Sequence, residues 1–132
     1  MNAVEMLLKK DLGKLEIPAR EMKMKLAKLK GEEITFNVKA IDPEIMSEIQ
    51  EKSLEIMDGD VQIVNTFKVK ALMIVESCAD IFKNKEVQAH FNAPTPIDLM
   101  KKLMLNGEID DLDKVVQEVN GYQSKKKKKS QN

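Results

Sequence analysis

Two stretches in the first third of the chain alternate polar and apolar residues with a period of two, which is typical of half-buried β-strands. The first covers residues 21–26 and the second covers residues 33–41. Gly31 lies in the connection, so the pattern predicts a β-hairpin. Residues 26–30 also fit the continuation of a helix, and this alternative stays open. The side chains on one face of the second strand are Ile34, Phe36, Val38 and Ala40.

A short helix is predicted ahead of this hairpin. Over residues 3–10, Val4, Leu7 and Leu8 lie on one helical face. Gly13 then ends the helical pattern, and Pro18 closes a loop before the first strand.

Apolar residues at three- and four-residue spacing predict two helices in the middle of the chain. Asp42 is suited to cap the first helix and Pro43 to occupy its first position. This helix is predicted to run to Asp58, with Gly59 as its end. Its apolar positions are Ile45, Met46, Ile49, Ile56 and Met57.

The second of these helices is predicted over residues 60–82. It is the longest and most apolar segment, so we expect it to form the centre of the core, with Phe67 and Ile74 buried.

The last third of the chain predicts a further helical turn within 84–92 and then two helices joined by a tight corner. Thr95 and Pro96 mark the start of the first of the two helices. Asn106 and Gly107 form the corner, and Gly121 ends the last helix, so these helices make an αα-hairpin.

Together these patterns predict an α+β, mainly α fold: an N-terminal β-hairpin followed by a compact bundle of four to five helices. A chain of 132 residues has the length of one domain, and we expect that domain to cover residues 1–123. Five consecutive lysines, Lys125 to Lys129, repel one another and have nothing to bury. Residues 124–132 are therefore predicted to be a disordered Lys-rich tail.

The distribution of charge argues against a nucleic-acid-binding body. The chain has 22 basic and 22 acidic residues, but without the lysine run residues 1–124 carry 17 basic and 22 acidic side chains, a net charge of −5. Aromatic residues that could stack on bases are also scarce. A small cytosolic nucleic-acid-associated regulator that uses the Lys-rich tail is nevertheless the alternative function.

No grouping typical of a catalytic, cofactor or metal site is visible, so we expect a protein that is not an enzyme. His90 is the only histidine and lacks ligand partners at metal-binding spacing. Cys78 is the only cysteine, which excludes an intramolecular disulfide and favours a reducing compartment. It lies on an apolar helical stripe, where a thiol behaves as a small buried hydrophobe. The acidic cluster Asp110, Asp111 and Asp113 fits the positive first turns of a helix better than a calcium loop.

Methionine is frequent, with nine residues spread over nearly every predicted element. Its flexible, polarisable side chain suits surfaces that accept varied apolar partners, although filling gaps in the core is the favoured role at most positions. Met100 and Met104 are the best candidates for exposure.

The order of elements resembles the XkdN-like phage tail assembly chaperones, found in tailed phages, prophages and phage-like elements of Gram-positive bacteria. The resemblance covers roughly residues 4–122. It rests on the strand pair, on the helix start Ala40-Ile-Asp-Pro-Glu44, and on a C-terminal pattern. That pattern is Leu103-Met-Leu-Asn-Gly-Glu-Ile109, followed by Leu112, Val116 and Gly121-Tyr122. Asn106 departs from the family pattern, which often has proline there, and leaves the corner intact.

The resemblance implies a non-enzymatic chaperone that binds the tape measure protein during tail assembly in the host cytoplasm and is absent from the finished virion. The tail tube protein is a second partner implied in this way, whereas a small-molecule substrate, a cofactor and a membrane are not. Many such chaperones are made in two lengths through a programmed frameshift near the end of the gene. Because lysine is encoded by AAA or AAG, the lysine run requires an adenine-rich message of the kind on which ribosomes slip.

The C-terminal αα-hairpin carries the residues most specific to the family, and it is our predicted partner-binding surface. The residues predicted to contact the partner are Met100, Met104, Glu108, Ile109 and Tyr122. The alternative is that the apolar positions of these two helices simply complete the core. Those positions are Leu99, Leu103, Ile109, Leu112 and Val116.

Overall fold

The fold was obtained as a computed structural model that describes residues 2–57, 59 and 61–122. The predicted tail over 124–132 lies outside the described residues. The α-helices are α1 (Ala3–Leu8), α2 (Pro43–Lys52), α3 (Thr66–Ser77), α4 (Ala79–Phe82), α5 (Lys85–His90), α6 (Pro96–Leu103) and α7 (Asn106–Val119), and the strands are β1 (Ala19–Leu26), β2 (Glu32–Lys39), β3 (Leu54–Met57) and β4 (Val61–Val64). Helices hold most of the residues in regular elements, so the predicted class, α+β and mainly α, is confirmed.

The predicted N-terminal hairpin is confirmed. Strands β1 and β2 pair antiparallel, with Met22 opposite Phe36 and Met24 opposite Ile34. Residues 27–29 form a single 3-10 turn, so the alternative of a longer helix at this point is wrong. Lys30 and Gly31 follow in the left-handed region, at φ 58° and 79°, and bring the chain back into β2.

The predicted centre of the core is also confirmed. Helix α3 packs against α2, α6, α7 and β2, and Ile74 at its middle is fully buried. The rings of Phe36 from β2 and Phe82 from α4 stack with their centroids 5.8 Å apart. The apolar faces of the first hairpin and of the long helices therefore meet in one hydrophobic cluster.

Helix α2 begins as predicted but ends earlier. The Asp42 carboxylate accepts a hydrogen bond from the Glu44 amide at 2.8 Å, and Pro43 is the first helical residue. The predicted continuation to Asp58 is wrong, because α2 stops at Lys52 and the chain enters β3. The buried residue Ser53 directly follows the helix, and its hydroxyl donates to the Ile49 carbonyl at 2.7 Å.

Ser53 also closes a second hairpin that the sequence did not predict. Its carbonyl accepts from the Asn65 amide at 2.7 Å, directly after β4. Strands β3 and β4 pair antiparallel, with Leu54 opposite Val64. The segment before α3 is therefore a two-stranded sheet rather than the end of one helix and the start of the next.

The helix predicted over 60–82 is shorter than expected and divided. It begins at Thr66, where the Asn65 side chain accepts from the Lys68 amide at 3.0 Å. It breaks at Cys78, whose ψ of 42° lies outside the helical range, and α4 follows. Of its predicted core residues, Phe67 is 38% exposed, so its placement in the core was wrong.

Candidate partner-binding surfaces

Met100 and Met104 do not reach the surface. They are 0% and 3% exposed, so the expectation that they would be exposed was wrong. Helix α6 packs the face that carries Met100 against α3 and α4. Ile109 is buried as well. At these three positions the apolar side chains complete the core. Whether the C-terminal helices bind a partner stays a prediction.

Glu108 joins two distant parts of the chain. One carboxylate oxygen accepts from the Leu105 amide at 2.8 Å, which satisfies a free donor at the start of α7. The other accepts from the Ala27 amide at 3.0 Å, in the connection between β1 and β2. Its side chain therefore holds the α6–α7 corner against the first hairpin.

Tyr122 is the exposed member of the predicted set, with 51% of its surface accessible. Gly121 adopts φ 90° and ends α7 as predicted. The Gly121 and Tyr122 amides donate to the Glu118 and Gln117 carbonyls at 3.0 and 2.9 Å, the hydrogen-bond pattern of a Schellman motif. This turn fixes the backbone from which the Tyr122 side chain extends.

Asn120 fixes the end of α7 against two other elements. Its side-chain oxygen accepts from the Ile41 amide at 2.7 Å, and its side-chain nitrogen donates to the Val116 carbonyl at 2.7 Å. That nitrogen also lies 3.3 Å from the Ser77 hydroxyl on α3. The position of Tyr122 relative to α2 and α3 is therefore set by hydrogen bonds.

A groove runs between α2, α3 and the end of α7, with a volume of about 240 Å³. We call it the methionine groove, because Met46 and Met73 are among its lining residues. Its lining residues are Ile41, Pro43, Met46, Ser47, Gln50, Met73, Asn120 and Tyr122.

A second groove adjoins the first and extends towards Phe67. The two grooves share Met73, whose sulfur lies 3.6 Å from the side-chain nitrogen of Gln117. The Phe67 ring lies near two ammonium groups, with Lys101 Nζ 5.5 Å and Lys70 Nζ 5.8 Å from its centroid. The apolar track thus continues along α3 to a half-exposed aromatic ring between lysines.

Residues 2–17, which we call the N-terminal arm, carry a third apolar surface. The predicted helix is present as α1, capped by the Asn2 side chain at the Glu5 amide, but all residues of the arm are exposed. The exposure of the arm could have been predicted from the sequence, because apolar residues continue after the helix up to Pro18 without an element that could bury them. The large apolar side chains of the arm are Val4, Met6, Leu7, Leu8, Leu12, Leu15 and Ile17.

The second hairpin also exposes apolar side chains. Leu54 and Val64 are paired across the strands, and Ile56 lies two residues further along β3 on the same face. All three are largely exposed. Ile63 is exposed on the other face of this two-stranded sheet.

Two titratable groups in the described part of the chain have shifted pKa values. Burial, together with the charge of Asp80, raises the pKa of the Cys78 thiol to about 12, so it stays protonated at neutral pH. This agrees with the interpretation of Cys78 as a buried hydrophobe. Burial also raises the pKa of Asp113, against the opposing effect of the hydrogen bond from Gln117. Within 2–57, 59 and 61–122, no three histidine, cysteine or acidic side chains are grouped so that they could hold a metal ion.

The helices of the described part of the chain are too short or too polar to cross a bilayer. What the surface offers instead is an apolar arm, an apolar hairpin face and an adjoining pair of grooves. Apolar surfaces of this kind are typical of proteins that bind other proteins.

The chain belongs to the family of phage XkdN-like tail assembly chaperone proteins, whose family model matches residues 4–131. The resemblance seen in the sequence is therefore confirmed. A solved crystal structure, that of the protein YqbN from a structural genomics consortium, is similar in fold, with a TM-score of 0.62 and 22% sequence identity. The similarity covers 86% of this chain and 93% of that one. No curated protein matches the chain.

Proposed function

We propose that this protein binds the tape measure protein of a phage tail and shields it in the host cytoplasm until the tail tube encloses it. Membership of a tail assembly chaperone family supports an interaction with phage tail proteins. A tape measure protein is long, helical and apolar, and exposed apolar surface attracts itself with about 25 cal/mol per Å² buried. An unshielded tape measure protein would therefore aggregate.

The observation that carries this proposal is the pair of adjoining grooves along α3. A partner helix with an apolar stripe fits such a track, in the manner of other helix-in-groove complexes. Met46, which is partly exposed, provides an adaptable wall for a partner whose sequence varies along its length. Tyr122 and Phe67 lie at the two ends as large, accessible aromatic contacts.

The Lys-rich run points to a longer product as part of the same proposal. We expect ribosomes to change frame near Lys125 and to append a further segment after Tyr122. Synonymous recoding of the lysine codons, which keeps every residue, should abolish the longer product in an intact-mass measurement from the native gene. A longer product that survives recoding, or none from the native gene, would contradict this part of the proposal.

Co-expression with the tape measure protein from the same phage element tests the main proposal. The wild-type chain should move the tape measure protein from the insoluble to the soluble fraction. Tyr122→Glu and Phe67→Glu should each reduce the soluble fraction severalfold, because a carboxylate would have to be desolvated against an apolar helix. His90→Glu also replaces an exposed ring with a carboxylate, but it lies on α5 outside the grooves, and it should have no effect.

Circular dichroism of each variant confirms that the fold is retained. If the wild-type chain leaves the tape measure protein insoluble, the proposed function is wrong. If the wild type acts but both groove variants act equally well, the function stands and the binding site lies elsewhere.

A further inference from the structure

We propose that the free protein is a reciprocal dimer, in which the N-terminal arm of each copy packs on the apolar face of the second hairpin of the other copy. The starting observation is where the exposed apolar residues lie. Among the residues whose burial the structure describes, fourteen large apolar side chains are exposed, of which seven belong to the arm and four to the second hairpin. Soluble monomers rarely leave apolar patches of this kind uncovered.

The arm has the form of a docking element. Val4, Leu7 and Leu8 lie at the spacing of one helical face of α1, and they are the side chains that a flat apolar partner would meet. No residue of α1 is buried in its own chain. The helix keeps its Asn2 cap at 2.9 Å, so the arm is structured before it binds.

The second hairpin has the form of a receiving surface. Leu54, Ile56 and Val64 share one face of a two-stranded sheet. Such a sheet is marginal on its own and gains stability when a helix covers one of its faces. The hairpin is anchored at its base through buried Ser53, so a helix docked on it would be held against the body of the protein.

Charge also favours this pairing. The hairpin segment, residues 51–64, contains four acidic residues and one lysine. Lys9 and Lys10 follow directly on the apolar residues of α1. An arm that lays Leu7 and Leu8 on the hairpin face would therefore bring two ammonium groups to an acidic segment, which favours the encounter.

The buried area explains why the contact would be reciprocal. Burying an aliphatic side chain removes roughly 60–120 Å² from water. The three side chains of one arm and the three of one hairpin face would therefore lose about 600 Å² of accessible surface together. This is below the roughly 1,200 Å² at which specific interfaces begin. Two such contacts related by a twofold axis reach that value, and a twofold dimer uses each patch once on each copy.

Sedimentation equilibrium of the full chain at micromolar concentration tests the dimer. The wild type should sediment with twice the mass of one chain. The arm variant Leu7→Asp/Leu8→Asp and the hairpin variant Ile56→Asp should each sediment as monomers with unchanged circular dichroism. Leu105→Asp is the matched control, because Leu105 is an exposed leucine outside both surfaces, and this variant should remain a dimer.

Cross-linking of an equal mixture of light and isotopically heavy protein shows which surfaces meet. An amine-reactive reagent should join Lys9 or Lys10 to Lys52 at the end of α2 in pairs of one light and one heavy peptide. A monomeric wild type, or links only within one copy, would mean that the arm does not bridge two chains, and the proposal would fail. A dimer that persists in either the arm or the hairpin variant would place the interface elsewhere and would equally overturn it. None of these outcomes depends on tape measure binding.

Discussion

Ile74 and Phe67 lie two turns apart on the same helix, and their neighbours decide how much water each side chain meets. Ile74 points between the first hairpin and the C-terminal helices and is fully buried. Phe67 lies in the first turn of α3, where Lys101 approaches its ring and water reaches the rest. Both are apolar residues at helical spacing, but only one is a core residue.

This difference predicts unequal costs of truncation. Ile74→Ala should lower the free energy of unfolding by roughly 2–5 kcal/mol, because it leaves a cavity in a packed core. Phe67→Ala should cost about 1 kcal/mol or less, since it removes a half-exposed ring and weak cation–π contacts. Urea titration of the two variants measures both values, and equal losses would contradict the burial difference.

Helical spacing could identify Ile74 but could not separate it from Phe67. Periodicity reports which residues share a face of one element, whereas exposure depends on how far the neighbouring elements extend. The same limit explains the error at Met100 and Met104. Their apolar character indicated a contact, and only the packing of α6 on α3 and α4 shows that the contact lies inside the molecule.

At the level of elements, Glu108 links the start of α7 to the first hairpin through two backbone amides. Glu108→Ala should lower the free energy of unfolding by about 1–2 kcal/mol, because a cap and a long-range hydrogen bond are lost together. Glu86→Ala is the control, since Glu86 also lies in the first turn of a helix but is exposed. In urea titrations, similar losses for the two variants would show that the Glu108 contacts contribute no more than the helix dipole.

Elements with strong local signals were predicted well from the sequence. The first hairpin, the capped start at Asp42 and Pro43, and the end of α7 at Gly121 all depend on the chemistry of a few adjacent residues. The second hairpin was missed because each of its strands has four residues, over which apolar positions fit a helix and a strand equally well. At its base the Asn65 amide donates to the Ser53 carbonyl, a contact between residues twelve positions apart that no local pattern indicates.

For the whole molecule, the core and the apolar surfaces are distinct. The core is closed by α3, α6, α7 and the first hairpin, whereas the arm and the second hairpin contribute mainly to the surface. A fold of this kind can change its binding surfaces without losing its core. The family could be recognised from the sequence because its specific residues maintain the fold. The binding surfaces could not be recognised from the sequence, because apolar residues that bind partners follow the same spacing as those that fill a core.

The position of α7 at the end of the described chain has a consequence for biosynthesis. Helix α7 covers both strands of the first hairpin and one side of α3, and Glu108 reaches back 81 residues to Ala27. A ribosome that has made only the first hundred residues therefore carries a chain in which α3 and the first hairpin lack one of their packing partners, since domains complete their cores as units. Native packing must wait until Tyr122 has left the ribosome. The core therefore cannot close during translation until α7, the last element of the described chain, has been made.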